Sequence, residues 1–169
     1  MKKICVFFVL LFLAGDSFPV HGQEKKSKKQ RKIEQMEKVR KLMENQDYVF
    51  VAERAYPVMG RSIFLTSPYD LTVSRDTVSA FLPYFGRIYT MPADPAEGGI
   101  KFVSKKFDYI PQATKKNGWN IKIITNDGNR RYELFLSVSE NGTANLSVSD
   151  ITRQSIRFNG YIEQRNRQP

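Results

Sequence analysis

From position 47 onward, hydrophobic and polar residues alternate with a period of two. "YVFVAERA" (48–55), "SIFLT" (62–66), "LTVS" (71–74) and "TVSAFL" (77–82) each read as a short strand, the last with Val78, Ala80 and Leu82 on one face. The pattern is cleanest in the C-terminal third. There "WNIKIIT" groups Trp119, Ile121 and Ile123, and "RYELFLSVS" groups Tyr132, Leu134, Leu136 and Val138. "TANLSVS" follows with Ala144, Leu146 and Val148, then "SIRFNGYI" with Ile156, Phe158 and Ile162. The alternate positions are mostly Ser, Asn, Lys and Arg. One-sided alternation of this kind marks antiparallel strands with one face on a core and the other in water. Asn117-Gly118, Asp127-Gly128 and Asn141-Gly142 supply hairpin dipeptides between the strands. The pattern predicts an all-β, mainly antiparallel domain over residues 47–165. It takes the form of a small meander barrel of roughly eight or nine strands, or a two-sheet sandwich. Gly160, amid the aromatics of "FNGYI", predicts a bulge or a close backbone approach.

Residues 23–46 change period. Ile33, Met36, Val39, Leu42 and Met43 form a narrow apolar stripe at helical spacing. Ser27 followed by Gln30 fits a capping box, and Glu34–Lys38 and Glu37–Lys41 are i,i+4 pairs in the favourable order. This basic helical segment precedes the β domain. It reads as a solvated spacer whose last turns dock on the domain, as a helix resting on anionic headgroups, or as a contact for a partner protein.

Before it, Lys2 and Lys3, the apolar run Ile4 to Ala14, and the small-residue pattern Val20-His21-Gly22 have the order of a secretory signal peptide. Cleavage is expected after Gly22, leaving the protein in the periplasm or associated with the outer membrane. Cys5 sits at the start of the apolar run rather than after it, the wrong place for lipid attachment, so the protein is not read as a lipoprotein. Cys5 and His21 are the chain's one cysteine and one histidine, and both leave with the leader. The remaining chain then lacks Cys/His zinc ligands and the imidazole base of Ser-His-Asp and Cys-His systems. No metal, cofactor or catalytic residue is expected. Acids such as Glu53, Asp70, Asp76, Asp108, Glu133 and Asp150 are scattered, which makes a carboxylate-dependent hydrolase the weakest reading.

The formal charge is +10, and residues 23–45 hold nine Lys/Arg against four Glu. Export argues against nucleic acid as the anionic partner. That leaves a small-molecule, glycan or lipid ligand, or an anionic membrane surface met through residues 23–45. The candidate ligand-binding stretch is "LPYFGRIY" (82–89). Pro83 presets φ for a turn and Gly86 suits a left-handed corner, with Arg87, Ile88 and Tyr89 starting a return strand. Two readings stand. Tyr84 and Phe85 seal one end of the core, or Tyr84, Phe85, Arg87 and Tyr89 form an exposed patch at a barrel mouth. Aromatics with arginine suit stacking on sugar rings or gripping an anionic, partly apolar ligand. "TMPADPAEGG" (90–99) reads as a mobile connection or a lid. The sequons at Asn141 and Asn145 fall in a hairpin and a strand that explain their composition.

Taken together, "YVFVAERAYPVMGRSIFLTSPYDLTVSRDTVSAFLPYFGRIY", "EGGIKF" and "RQSIRFNGYI" resemble the domain of unknown function 4251 family of exported proteins from Bacteroides-like bacteria. The resemblance covers about residues 30–163. It implies export and a single domain, and it brings no reaction and no catalytic residues. It also makes Asp76-Thr77-Val78 similar to a short O-glycosylation motif, although those residues equally suit a turn entering a strand. The reading is an exported envelope protein, a non-catalytic binding module, with a structural or interaction role built on the basic helix as the alternative.

Overall fold

A computed structural model describes residues 27–90, 98–126 and 131–165. The predicted leader, most of the 90–99 connection and Asp127-Gly128 lie outside the described residues. One helix, α1 (Lys28–Asn45), is followed by β1 (Tyr48–Pro57), β2 (Ile63–Val73), β3 (Val78–Leu82), β4 (Ile100–Ser104) and β5 (Phe107–Ala113). Then come β6 (Trp119–Thr125), β7 (Tyr132–Val138), β8 (Thr143–Asp150) and β9 (Arg153–Glu163). All pairings are antiparallel, in the order β4-β3-β2-β1-β9-β8-β7-β6-β5, so the chain folds as two meanders joined where β9 returns beside β1. The result is a nearly closed barrel, the first of the two predicted forms. β4 runs on into β5 through Lys105 and Lys106, and its pairing partner changes there from β3 to β6.

The period-two reading holds residue by residue. Val78, Ala80 and Leu82, Leu134, Leu136 and Val138, Ala144, Leu146 and Val148, and Ile156, Phe158 and Ile162 are all buried. They join Tyr48, Phe50, Leu71 and Ile123 in a single cluster that fills the barrel interior. Trp119 is only partly buried, on the rim of that cluster.

The two predicted strands at 62–66 and 71–74 are one strand, β2. The sequence suggests a break because residues 65–68, with Pro68, belong to no regular pairing. They stand opposite Glu53, where β1 shifts register between Ala52 and Arg54 and, relative to β9, carries one extra residue. β9 meets the same bulge with Gly160, paired to Ala52. Any Cβ on Gly160 would collide with the Val51 carbonyl oxygen, so the predicted close approach is real. The bulge reverses the side-chain phase of β1: Tyr48, Phe50 and Ala52 point inward, then Ala55 does, and Tyr56 turns outward.

Successive hairpins alternate between the two ends of the barrel. At the end carrying the β7–β8 turn, α1 lies across the opening. Ser27 caps it by accepting from the Gln30 N–H at 3.2 Å, and the buried Val39 and Met43 face the core. Gln35 Nε2 donates to the Asn141 carbonyl at 3.3 Å, and Lys32 pairs with Glu140 at 3.0 Å. Of the helix stripe, Ile33 remains half exposed.

Candidate functional site

The predicted residues of "LPYFGRIY" lie at the opposite end of the barrel, and the structure separates them. After Leu82 the chain does not turn back along β3. Residues 87–89 instead cross to the start of β9, where Ile88 bridges Arg153, Gln154 N–H donates to the Arg87 carbonyl at 3.0 Å and Tyr89 N–H to the Thr152 carbonyl at 2.8 Å. The return strand expected here is therefore supplied by β4, later in the chain. Gly86 is not left-handed, since the described glycines with positive φ are Gly60 and Gly142. Its role is room: a Cβ there would stand 2.7 Å from the Tyr84 hydroxyl.

That hydroxyl sits between two carbonyls, donating toward Arg87 O at 2.7 Å and Gln154 O at 2.9 Å. Burial raises the Tyr84 pKa above 10.0, against the lowering influence of the neighbouring Arg153. The Arg153 guanidinium lies 5.0 Å from the Tyr84 ring centre and donates through Nη1 to the Gly99 carbonyl at 3.0 Å. Its Nε is 3.4 Å from Asp150 Oδ2, and both side chains are 2% exposed. Asp150 in turn accepts from Thr152 N–H at 2.6 Å and Thr152 Oγ1 at 2.8 Å. Phe85 packs against the core cluster, whereas Arg87 and Tyr89 are exposed. This end is a polar plug, and Tyr84 and Phe85 belong to it.

A recessed surface lies instead on the outside of the sheet. Cross-strand register aligns Phe135, Ser147, Arg157 and Tyr56 across β7, β8, β9 and β1. The next outward-facing row is Ser137, Asn145, Asn159 and Arg54. Between them runs a groove of about 500 Å³, walled by Phe135 and Tyr56 and floored by Ser137, Asn145, Ser147 and Asn159. Phe135 is 50% exposed and Tyr56 38%, enough to offer ring faces to a ligand. Asn159 Nδ2 donates to Asn145 Oδ1 at 3.2 Å, which fixes both amides and leaves donors and acceptors on the groove side. Among the described residues Arg157 makes no ion pair or side-chain hydrogen bond. By contrast Lys122, in register with Phe135, is held by Glu133 at 3.7 Å.

Ser137 and Asn145 also line a second groove, of about 670 Å³, that continues to Thr114, Lys116 and Asn117. Thr114, Asn117, Gly118 and Glu140 lead on to a third, of about 480 Å³, between Trp119 and the Ile33 and Met36 side of α1. The three form one trough along the outside of the barrel.

Ser137, Asn145, Ser147, Arg157 and Asn159 fall on the strand positions expected to face water. Phe135 carried a readable signal, an aromatic in the polar phase of "RYELFLSVS". Tyr56 carried none, because its outward direction depends on the bulge.

The carboxylates are dispersed in function. Asp76 accepts from Ser74 Oγ at 2.6 Å in the β2–β3 turn, and that bond holds its carboxyl below the usual range. Asp108 accepts from Asn126 at 3.1 Å, and Asp150 belongs to the plug. Asp70, on β2, is pushed above 3.8 by burial and then by Glu163 across β1. Among the described residues no group of three His, Cys, Asp or Glu is placed to hold a metal ion.

The fold and surface define a nine-stranded barrel with a filled interior, a helix across one end and a polar-aromatic trough outside. Residues 30–162 match the family described as a domain of unknown function (DUF4251), and the chain belongs to that family. It is also similar to the crystal structure, at 1.95 Å resolution, of a DUF4251 family protein from Bacteroides eggerthii DSM 20697. The TM-score is 0.59 and the identity 14%, over 77% of this chain and 87% of that one. At that identity the likeness speaks for the fold alone. No curated protein matches the chain.

Proposed function

We propose that this is an exported, non-catalytic binding module of the cell envelope, which takes an extended ligand on the outside of its barrel. The observation that carries the reading is the trough. Its walls are aromatic, its floor is hydroxyl and amide, and it continues past the β7–β8 turn instead of ending in a closed pocket. The packed interior points the same way, since Tyr48, Phe50 and Phe158 occupy the space where a hollow barrel would hold a ligand. The leader pattern at residues 1–22 supports export, and the oxidising compartment costs nothing to a domain that needs no disulfide.

Co-sedimentation with the insoluble envelope fraction tests this. The purified protein is expected to pellet, and the Phe135→Ala/Tyr56→Ala variant to stay in solution, while an Arg87→Ala/Tyr89→Ala variant pellets as the parent does. If the Arg87/Tyr89 variant loses binding and the trough variant keeps it, the ligand sits at the polar end and the trough reading fails.

A second reading is favoured by the exposed Lys28, Lys29 and Arg31 at the start of α1. They support electrostatic contact with an anionic membrane face, which salt would weaken. The buried Val39 and Met43 are committed to the barrel and are not available to enter lipid.

A further inference from the structure

We infer that the ligand of the trough is an acidic polysaccharide, a chain of sugar rings carrying carboxylates, with Arg157 as the residue that recognises the acid. The inference rests on the binding-module reading above and adds the ligand's chemical class.

Phe135, Ser147, Arg157 and Tyr56 stand in one row across four strands. Adjacent strands lie about 4.8 Å apart, so the two rings are separated by three steps, about 14 Å. That distance leaves room for a saccharide chain lying along the groove, with one ring on each side of it. Sugars present apolar C–H faces and equatorial hydroxyls together. Aromatic walls take the first, and the amides and hydroxyls of Asn145, Asn159, Ser137 and Ser147 take the second. A peptide laid on this surface would find no free strand edge, because β7, β8, β9 and β1 are each paired on both sides.

Charge decides between neutral and acidic sugars. Lys122 is paired with Glu133, which it shares with Arg131, and the Arg54 guanidinium rests 5.8 Å from the Phe64 ring and donates to Ser62. Arg157 stands between the two walls, and among the described residues its guanidinium has no partner. A planar fork with no acid of its own is matched by a carboxylate, which it can bind through two parallel hydrogen bonds. Polymer length follows from the trough, which runs on through Ser137 and Asn145 toward Lys116, past a Glu140 already paired with Lys32. The net charge of +10 adds long-range attraction for such a polyanion.

The test uses hexagalacturonate, with a carboxylate on each ring, and its fully methyl-esterified, neutral counterpart, each titrated calorimetrically into the purified full-length protein. The acid is expected to bind, and the ester to bind about tenfold more weakly or less, in line with one lost charged hydrogen-bond pair. Arg157→Ala should remove that difference by weakening the acid alone. Phe135→Ala should weaken both, and raising the ionic strength should weaken only the acid. Arg157 is exposed, so its variant is expected to fold, and an unchanged thermal transition verifies this. Equal affinity for acid and ester, or an equal loss on both from Arg157→Ala, overturns the inference. If neither saccharide binds while the envelope fraction still retains the protein through Phe135 and Tyr56, the acidic-saccharide assignment falls and the binding-module reading stands. If the envelope fraction also fails to retain it, both fall.

Discussion

At one end of the barrel, Val39 of α1 lies over the β7–β8 turn at Gly142 and, with the buried Met43, closes the core with apolar side chains. At the other, Arg153, Asp150 and Tyr84 close it with a buried ion pair, a ring under a guanidinium and hydrogen bonds to three backbone carbonyls. The first closure is made by a contiguous, self-capped segment that only has to dock. The second draws on residues around 84, 99 and 152, and is assembled only when those distant segments have arrived. An apolar plug loses stability in proportion to what is removed. A polar plug fails abruptly, because removing one partner strands the rest away from water.

Arg153→Ala is therefore expected to give the largest effect, a loss of about 3–5 kcal/mol in urea unfolding, since it leaves the Asp150 carboxylate buried and uncompensated. The double variant Arg153→Met/Asp150→Asn should recover part of that loss. If the double variant is as unstable as the single one, packing and not charge is what the plug supplies. Met43→Ala at the other end should cost about 2–3 kcal/mol, the lower part of the range for a buried Met, because a docked helix can settle into the space.

Tyr84→Phe keeps the ring beneath Arg153 and removes only the hydroxyl, so a loss of about 1 kcal/mol is expected. It carries a pH signature as well. The Tyr84 pKa is raised in the folded state, so the wild-type protein keeps this contribution below pH 10.0 and loses it as the pH climbs from there through the raised value. The variant should show a shallower alkaline decline. Tyr48 and Tyr109 add to that decline in both proteins, because burial holds the pKa of Tyr48 well above 10.0 and raises that of Tyr109 as well. An identical alkaline profile for variant and parent would mean that Tyr84 ionises as readily folded as unfolded.

These two ends also differ in how far they could be read from the chain. Ser27, Ile33 and the stripe to Met43 predicted α1, because a helix start and its buried face are set by neighbours a few residues away. Nothing within several residues of Arg153 reveals the Tyr84 ring or the Gly99 carbonyl that it meets. The same distinction separates the walls of the trough. Phe135 stands out of phase with its own strand, whereas Tyr56 faces outward only because β1 gains a residue at Glu53, where Gly160 of β9 lets the backbones close up.

The amino-acid sequence by itself determined the all-β class, the strand faces, the capped helix and the family, since periodicity, capping and turn chemistry are local properties of the chain. Tertiary structure alone decided that the sheet curls into a barrel, that "LPYFGRIY" spans from β3 to β9 and not back along β3, and that aromatics and an uncommitted arginine meet on the outer face. Those outcomes depend on register between strands far apart in the chain. A single inserted residue there reverses which side chains face the core and which face a ligand.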